Sequence, residues 1–106
     1  MRRYTTEESR EIAATIRQQL GAQFAIMTGA KNFGFGDGSL SFTIGRNSKK
    51  VTNVSIVLED NDTYTMIFSN VNMRKCEVKT IAEVKNVYCD MLKPVFEENT
   101  ELYTSL

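Results

Sequence analysis

Four stretches of alternating side chains, joined by short polar connections, constrain this chain more than any other feature. Leu40, Phe42 and Ile44 alternate with Ser39, Ser41 and Thr43. Val54, Ile56 and Leu58 share one side of Thr52–Leu58, and Tyr64, Met66 and Phe68 share one side of Thr63–Phe68. Cys76, Val78 and Thr80 do the same within Lys75–Ile81. A period of two belongs to β-strands, where successive side chains point to opposite faces. Connections this short join antiparallel neighbours, and Glu59-Asp60-Asn61-Asp62 carries hairpin-turn chemistry. The stretch predicts an antiparallel meander of four to five strands.

The number of strands turns on Gly29-Ala-Lys-Asn-Phe-Gly-Phe-Gly-Asp-Gly38, which holds four of the six glycines. A lysine beside glycines raises the question of a phosphate cradle. A P-loop needs Lys-Ser/Thr after its second glycine and a helix beyond; here Phe35-Gly36 stands in that place and an alternating strand follows. Gly34, Gly36 and Gly38 also miss the dinucleotide-binding spacing. A hairpin accounts for the segment better: Lys31–Phe35 as one arm, Gly36-Asp37-Gly38 as the turn, and the strand from Ser39 as the other.

Helical spacing flanks the strands. Thr5 and Glu8 form a capping box in sequence, Ile12, Ala13, Ile16 and Leu20 make an apolar stripe, and Gly21 is a stop signal. These predict a helix over 6–20. Phe24-Ala25-Ile26-Met27 reads as a short strand or an extended lead into the sheet. Near the other end, Val87, Met91 and Val95 share a face with Tyr88, Leu92 and Phe96. That pattern predicts a second helix capped by Asn86 and kinked or ended at Pro94. The tail from Thr100 to Leu106 is expected to pack back on the domain.

Both helices need a surface for their stripes, and the strands offer one apolar face. The expected fold is therefore α+β, two-layer: an antiparallel four- to five-stranded meander with N- and C-terminal helices on one face. The 106 residues read as a single domain, 1–106. The expected core comprises Ile12, Ile16, Leu20, Phe42, Ile44, Val54, Ile56, Tyr64, Met66, Phe68, Val78, Leu92 and Phe96. The opposite sheet face, with Ser41, Thr43, Asn53, Ser55, Thr65, Glu77 and Lys79 around Val57, Ile67 and Ile81, is expected to be solvated or to form a homodimer.

Composition narrows the chemistry. Histidine is absent, which removes the commonest general base and metal ligand. Cys76 and Cys89 form no CxxC, and Cys76 falls in step with core residues, so packing is its expected role. Glu59, Asp60 and Asp62 are too close together for a calcium loop, and Glu97 and Glu98 are adjacent and cannot face each other on a helix. The reading is not an enzyme, with no catalytic residues, no cofactor and no metal site. No apolar run is long enough to span a bilayer, and polar residues follow the basic start, unlike a secretory signal.

Thirteen Lys+Arg balance thirteen Asp+Glu, so indiscriminate coating of nucleic acid is disfavoured. Topology nevertheless separates the signs. A meander returns alternate connections to the same end, so Lys31, Arg46, Lys49, Lys50, Arg74 and Lys75 are expected to gather at one rim. Asp37, Glu59, Asp60 and Asp62 fall at the other. The basic rim is the candidate site for an anionic partner.

The segments MTGAKNF, SLSFTIGRN, DTYTMIF, VYCDML and ELYTSL resemble a family of small uncharacterised proteins of bacteriophages, prophages and mobile elements, from about Ile16 to the C-terminus. The resemblance implies a phage-type accessory protein in the host bacterial cytoplasm and carries over no catalytic residue. Together with the missing catalytic sets, it gives the expectation of a binding protein that occupies a host or phage macromolecule, for instance inhibiting a host defence component. The alternative is a nucleic-acid binder, for single-stranded DNA or RNA, acting through the basic rim. An enzyme of unknown type is the third reading.

Overall fold

The computed structural model describes residues 4–102 and 104. Helix α1 (Thr6–Leu20) begins at the expected capping box, with the Thr5 side chain accepting from the Glu8 N–H and the Glu8 carboxylate accepting from the Thr5 N–H. Helix α2 (Ala22–Thr28) follows after Gly21, and then come β1 (Lys31–Gly36), β2 (Ser39–Thr43), β3 (Asn53–Leu58), β4 (Tyr64–Asn72) and β5 (Glu77–Val87). A short 3₁₀ turn over Cys89–Met91 leads into α3 (Leu92–Thr100). The five strands form one antiparallel sheet in the order β1-β2-β3-β4-β5. The fold is the expected α+β arrangement, with every strand paired to its sequence neighbours.

One core joins the layers. Ala13, Ile16 and Leu20 of α1, Phe24 of α2 and Leu92, Val95 and Phe96 of α3 bury against Leu40, Phe42, Val54, Ile56, Met66 and Phe68. Phe24 stands edge-on to Phe42 at 5.6 Å and to Phe96 at 4.8 Å between ring centres. The helices therefore share one face, and the Ser/Thr face is uncovered by any helix among the described residues. Ile12 and Ile44 pack only partly into the core.

The glycine-rich segment is a hairpin. Asp37 (φ 47°) and Gly38 (φ 73°) form a two-residue loop between Gly36 and Ser39, the left-handed pair that such hairpins use. A Cβ at Gly38 would collide with the Tyr4 ring, and the Gly38 N–H donates to the buried Ser9 hydroxyl at 2.9 Å. The turn thus doubles as the anchor for the start of α1.

Three expectations need correction. Phe24–Met27 is helical and not extended: Phe24 and Thr28, four apart, face the core while Ile26 is 81% exposed. Four consecutive apolar residues satisfy either period, and the aromatic contacts of Phe24 decide it. The second correction is to the final helix, which starts at Leu92, not at an Asn86 cap. Asn86 and Val87 belong to β5, where Val87 pairs with Tyr64 and is buried. Pro94 sits in the first turn of α3, where an amide N–H has no helical acceptor, so it neither kinks nor ends the helix.

The third correction concerns β5. Pairing of Ser69 with Thr80 and of Phe68 with Ala82 leaves Ile81 as an extra residue, a β-bulge. Past the bulge the phase is reversed. Val78 pairs with Val71 on the open face and is 69% exposed, and Thr80 lies on that face too. Glu77 and Lys79 pair with Asn72 and Asn70 on the helix side. Cys76 is exposed in the β4–β5 turn at φ 54° and packs in no core. In the tail, Thr104 is buried and bonds through its N–H and hydroxyl to the Glu97 carboxylate; Tyr103, Ser105 and Leu106 lie outside the described residues.

Candidate basic interface

The paired row Lys31–Thr43–Asn53–Ser69–Thr80 crosses the sheet at one end. Lys31 opens β1, the β2–β3 loop carries Arg46, Lys49 and Lys50, and the β4–β5 turn carries Arg74 and Lys75. All six candidate cations lie toward this end, but they do not form one pocket. Lys31 on the outer strand is about 19 Å, four strand spacings, from β5.

Local chemistry shapes the β2–β3 loop. The Asn47 side chain donates to the Gly45 and Val51 carbonyls at 2.9 and 2.7 Å and accepts from the Val51 N–H at 3.0 Å. This staple plugs Val51 into the core, 2% exposed, and turns Arg46, Lys49 and Lys50 outward. Lys50 takes φ 59°, and its carbonyl accepts from the Asn70 side chain at 2.7 Å. The loop is thereby fastened to β4. Lys49 and Lys50 then line a cleft of about 500 Å³ with Asn70, Lys79, Thr80 and Ile81. Lys49 also pairs with Glu101 at 3.3 Å, both well exposed, a contact that contributes little to stability.

Beyond Ser69, strand β4 runs past the end of β3, and Asn70–Asn72 pair only with Glu77–Lys79. The result is a two-stranded arm reaching about 10 Å past the sheet end. Arg74 and Lys75 sit at its turn, where the Asn72 carboxamide accepts from the Lys75 N–H at 3.2 Å. Met73 is 82% exposed on the same turn. Lys79 is the member that alternation missed: it belongs with Lys49 and Lys50 only because the Ile81 bulge reverses the strand. The one signal in Val78–Lys85 is Ile81, which falls on the polar phase beside Ala82 and interrupts the alternation where the bulge lies.

The opposite end is acidic, as the meander requires. Asp37 occupies the β1–β2 turn, and Glu59, Asp60 and Asp62 occupy the β3–β4 turn. The Leu58 N–H donates to the Gly38 carbonyl at 2.9 Å and ties the two turns together. Among the described residues no group of three or more Cys, Asp or Glu side chains could hold a metal ion. Cys76 and Cys89 are both free thiols. No helix among the described residues is long and apolar enough to cross a membrane.

No protein-family model, curated protein or solved structure matches the chain.

Proposed function

We propose that this chain is a non-enzymatic binding protein that occupies an acidic protein surface with the basic end of its sheet. Its phage-type character, its action in the host bacterial cytoplasm and a host defence component as target follow from the resemblance of its sequence segments and belong to the same proposal. The observation that carries it is the composition of the β4–β5 arm and the adjoining cleft. Arg74 and Lys75 share the turn with exposed Met73, Val78 is exposed on the open face of the arm, and Lys79, on the other face with Glu77, lines the cleft beside Lys49 and Lys50. Protein interfaces combine an apolar centre with a charged rim in this way, and a purely phosphate-directed surface has no use for the apolar residues. The uncovered sheet face, with Val57 and Ile67 among small hydroxyl side chains, is the proposed surface for a homodimer.

One feature favours a second reading, nucleic-acid binding. A two-stranded ribbon fits the DNA major groove, and the arm carries cations at its tip.

The test is recovery of partners from infected-host lysate, with and without nuclease, by wild type and by a variant with Arg46, Lys49, Lys50, Arg74 and Lys75 changed to Glu. A nuclease-resistant protein partner lost by the variant, at unchanged thermal stability, supports the first reading. A partner whose binding falls log-linearly and steeply with salt supports the second. Retention of the partner by the charge-reversed protein removes the basic end from both. Light scattering on the same samples reads self-association, and a monomer at high concentration removes the dimer.

A further inference from the structure

The flank of α1 over the outer edge of the sheet has an organisation of its own. Arg17 stacks its guanidinium 3.7 Å from the centre of the Phe33 ring, and Arg10 stands 5.7 Å from that of Phe35. Arg10 and Arg17 are seven residues apart, about 10 Å along the helix, on the side facing β1. Between them Ala13 and Ala14 keep the surface low, and the whole forms a trough of about 590 Å³. Neither guanidinium is ion-paired among the described residues. A stacked guanidinium has lost much of its freedom while its N–H fork stays available, so it is prepared to take a carboxylate in a bidentate contact.

The strand side of the trough is also unfilled. Among the described residues β1 is an end strand, paired only to β2. Gly36 and Ser39 flank a two-residue loop and so exchange hydrogen bonds with each other. Phe35, one residue back and opposite Leu40, is then a non-hydrogen-bonded pair. Its N–H and C=O point away from β2, outward from the sheet edge that borders the trough. The bulge between Lys31 and Gly34, with Asn32 at φ 57°, limits any pairing to a short stretch ending at Gly36.

We infer that this trough binds a short acidic peptide segment of a partner protein in extended form, added as a strand to β1. Its backbone pairs at Phe35, and every second side chain faces α1: two carboxylates four residues apart meet Arg10 and Arg17, and the apolar side chain midway between them lies over Ala13 and Ala14. Main-chain pairing supplies affinity and the two stacked arginines select negative charge. This surface is separate from the basic end and does not depend on it.

The test uses a fluorescein-labelled short peptide whose alternate positions read glutamate, valine, glutamate, with serine at the positions between them. Saturable binding by fluorescence anisotropy is expected, weakened about tenfold or more by Arg10→Gln with Arg17→Gln. Reversal of Arg46, Lys49 and Lys50 should leave it unchanged, which separates this site from the basic interface. Amide resonances of Phe33–Gly36 should shift on titration. A version of the peptide with lysine for glutamate should not bind, and one N-methylated on alternate amides should bind weakly. Absence of saturable binding, equal binding of the lysine peptide, or insensitivity to the two arginine changes would overturn the site. Equal binding of the N-methylated peptide would overturn strand addition. Circular dichroism of the double variant confirms that the fold persists.

Discussion

The two halves of β5 lie on one continuous strand and serve opposite ends. From Ala82 to Val87 the strand closes the core: Ala82 and Val84 pack against it and Val87 is 1% exposed beside Tyr64. From Glu77 to Thr80 every residue is exposed, Val78 included. Neither half alternates without a break: Ile81 interrupts the first phase, and a second irregularity between Val84 and Val87, with Asn86 at φ 59°, brings Val87 back to the core. What differs is the layer behind them. Helix α3 covers the sheet as far as Phe68, where Phe96 stands 6.3 Å from its ring, while Asn70 and Asn72 lie past that level. Alternation reports which residues share a face. Whether the face is covered, and whether a bulge has exchanged the faces, depends on the neighbouring layer.

Single-residue deletions should separate the halves most sharply. Removing Ile67 from the regular part of β4 shifts one side of its register by one residue and turns core side chains to the open face. The expected loss exceeds the whole stability of a domain this size, about 5–15 kcal/mol, and no cooperative unfolding transition should remain. Removing Ile81 takes out only the unpaired residue of the bulge, so Thr80 and Ala82 keep their faces. A cost of about 1–2 kcal/mol is expected, read by urea denaturation. A folded Ile67 deletion would show that the β4 register is not held by the core.

Side-chain truncation gives the next largest contrast. Phe68, fully buried, and Val78, 69% exposed, occupy paired strands on opposite faces. Phe68→Ala should lower stability by about 3–5 kcal/mol. Val78→Ala should change it by less than about 0.5 kcal/mol. A comparable loss at Val78 would place that side chain in the core and remove the bulge from the account.

The smallest effect is a pH dependence at the core half. Burial raises the Tyr64 pKa above 10.0, assisted by nearby Cys89. The hydroxyl donates to the Gln19 side-chain oxygen at 3.1 Å. Because the folded state holds this proton more tightly than the unfolded chain, the contribution is complete below about pH 10 and is lost as pH rises beyond it. Ultraviolet titration of wild type against Tyr64→Phe should show the missing step above 10.0. A step at or below that value would mean the ring is not buried at the α1–β4 contact.

Much of the fold was legible in local patterns because local rules decided it. Thr5 and Glu8 are three apart, so the capping box is a property of the chain alone. Asp37-Gly38 tolerates left-handed backbone, and the short connections permitted only antiparallel pairing. The placement of Arg46, Lys49, Lys50, Arg74 and Lys75 toward one end follows from that topology. The tertiary structure decided the rest, where two local solutions were close in energy or where the partner was distant in sequence. Phe24 became helical through contacts with Phe42 and Phe96. Asn86 and Val87 were taken into β5 by pairing with β4, which moved the start of the last helix. The Ile81 bulge carried Lys79 to Lys49 and exposed Val78, and Arg10 and Arg17 found their aromatic rings only when α1 lay along β1. A sequence specifies its periods and its turns through neighbouring residues. It cannot display which faces a second layer covers, because burial is a relation between segments that meet only in the folded chain.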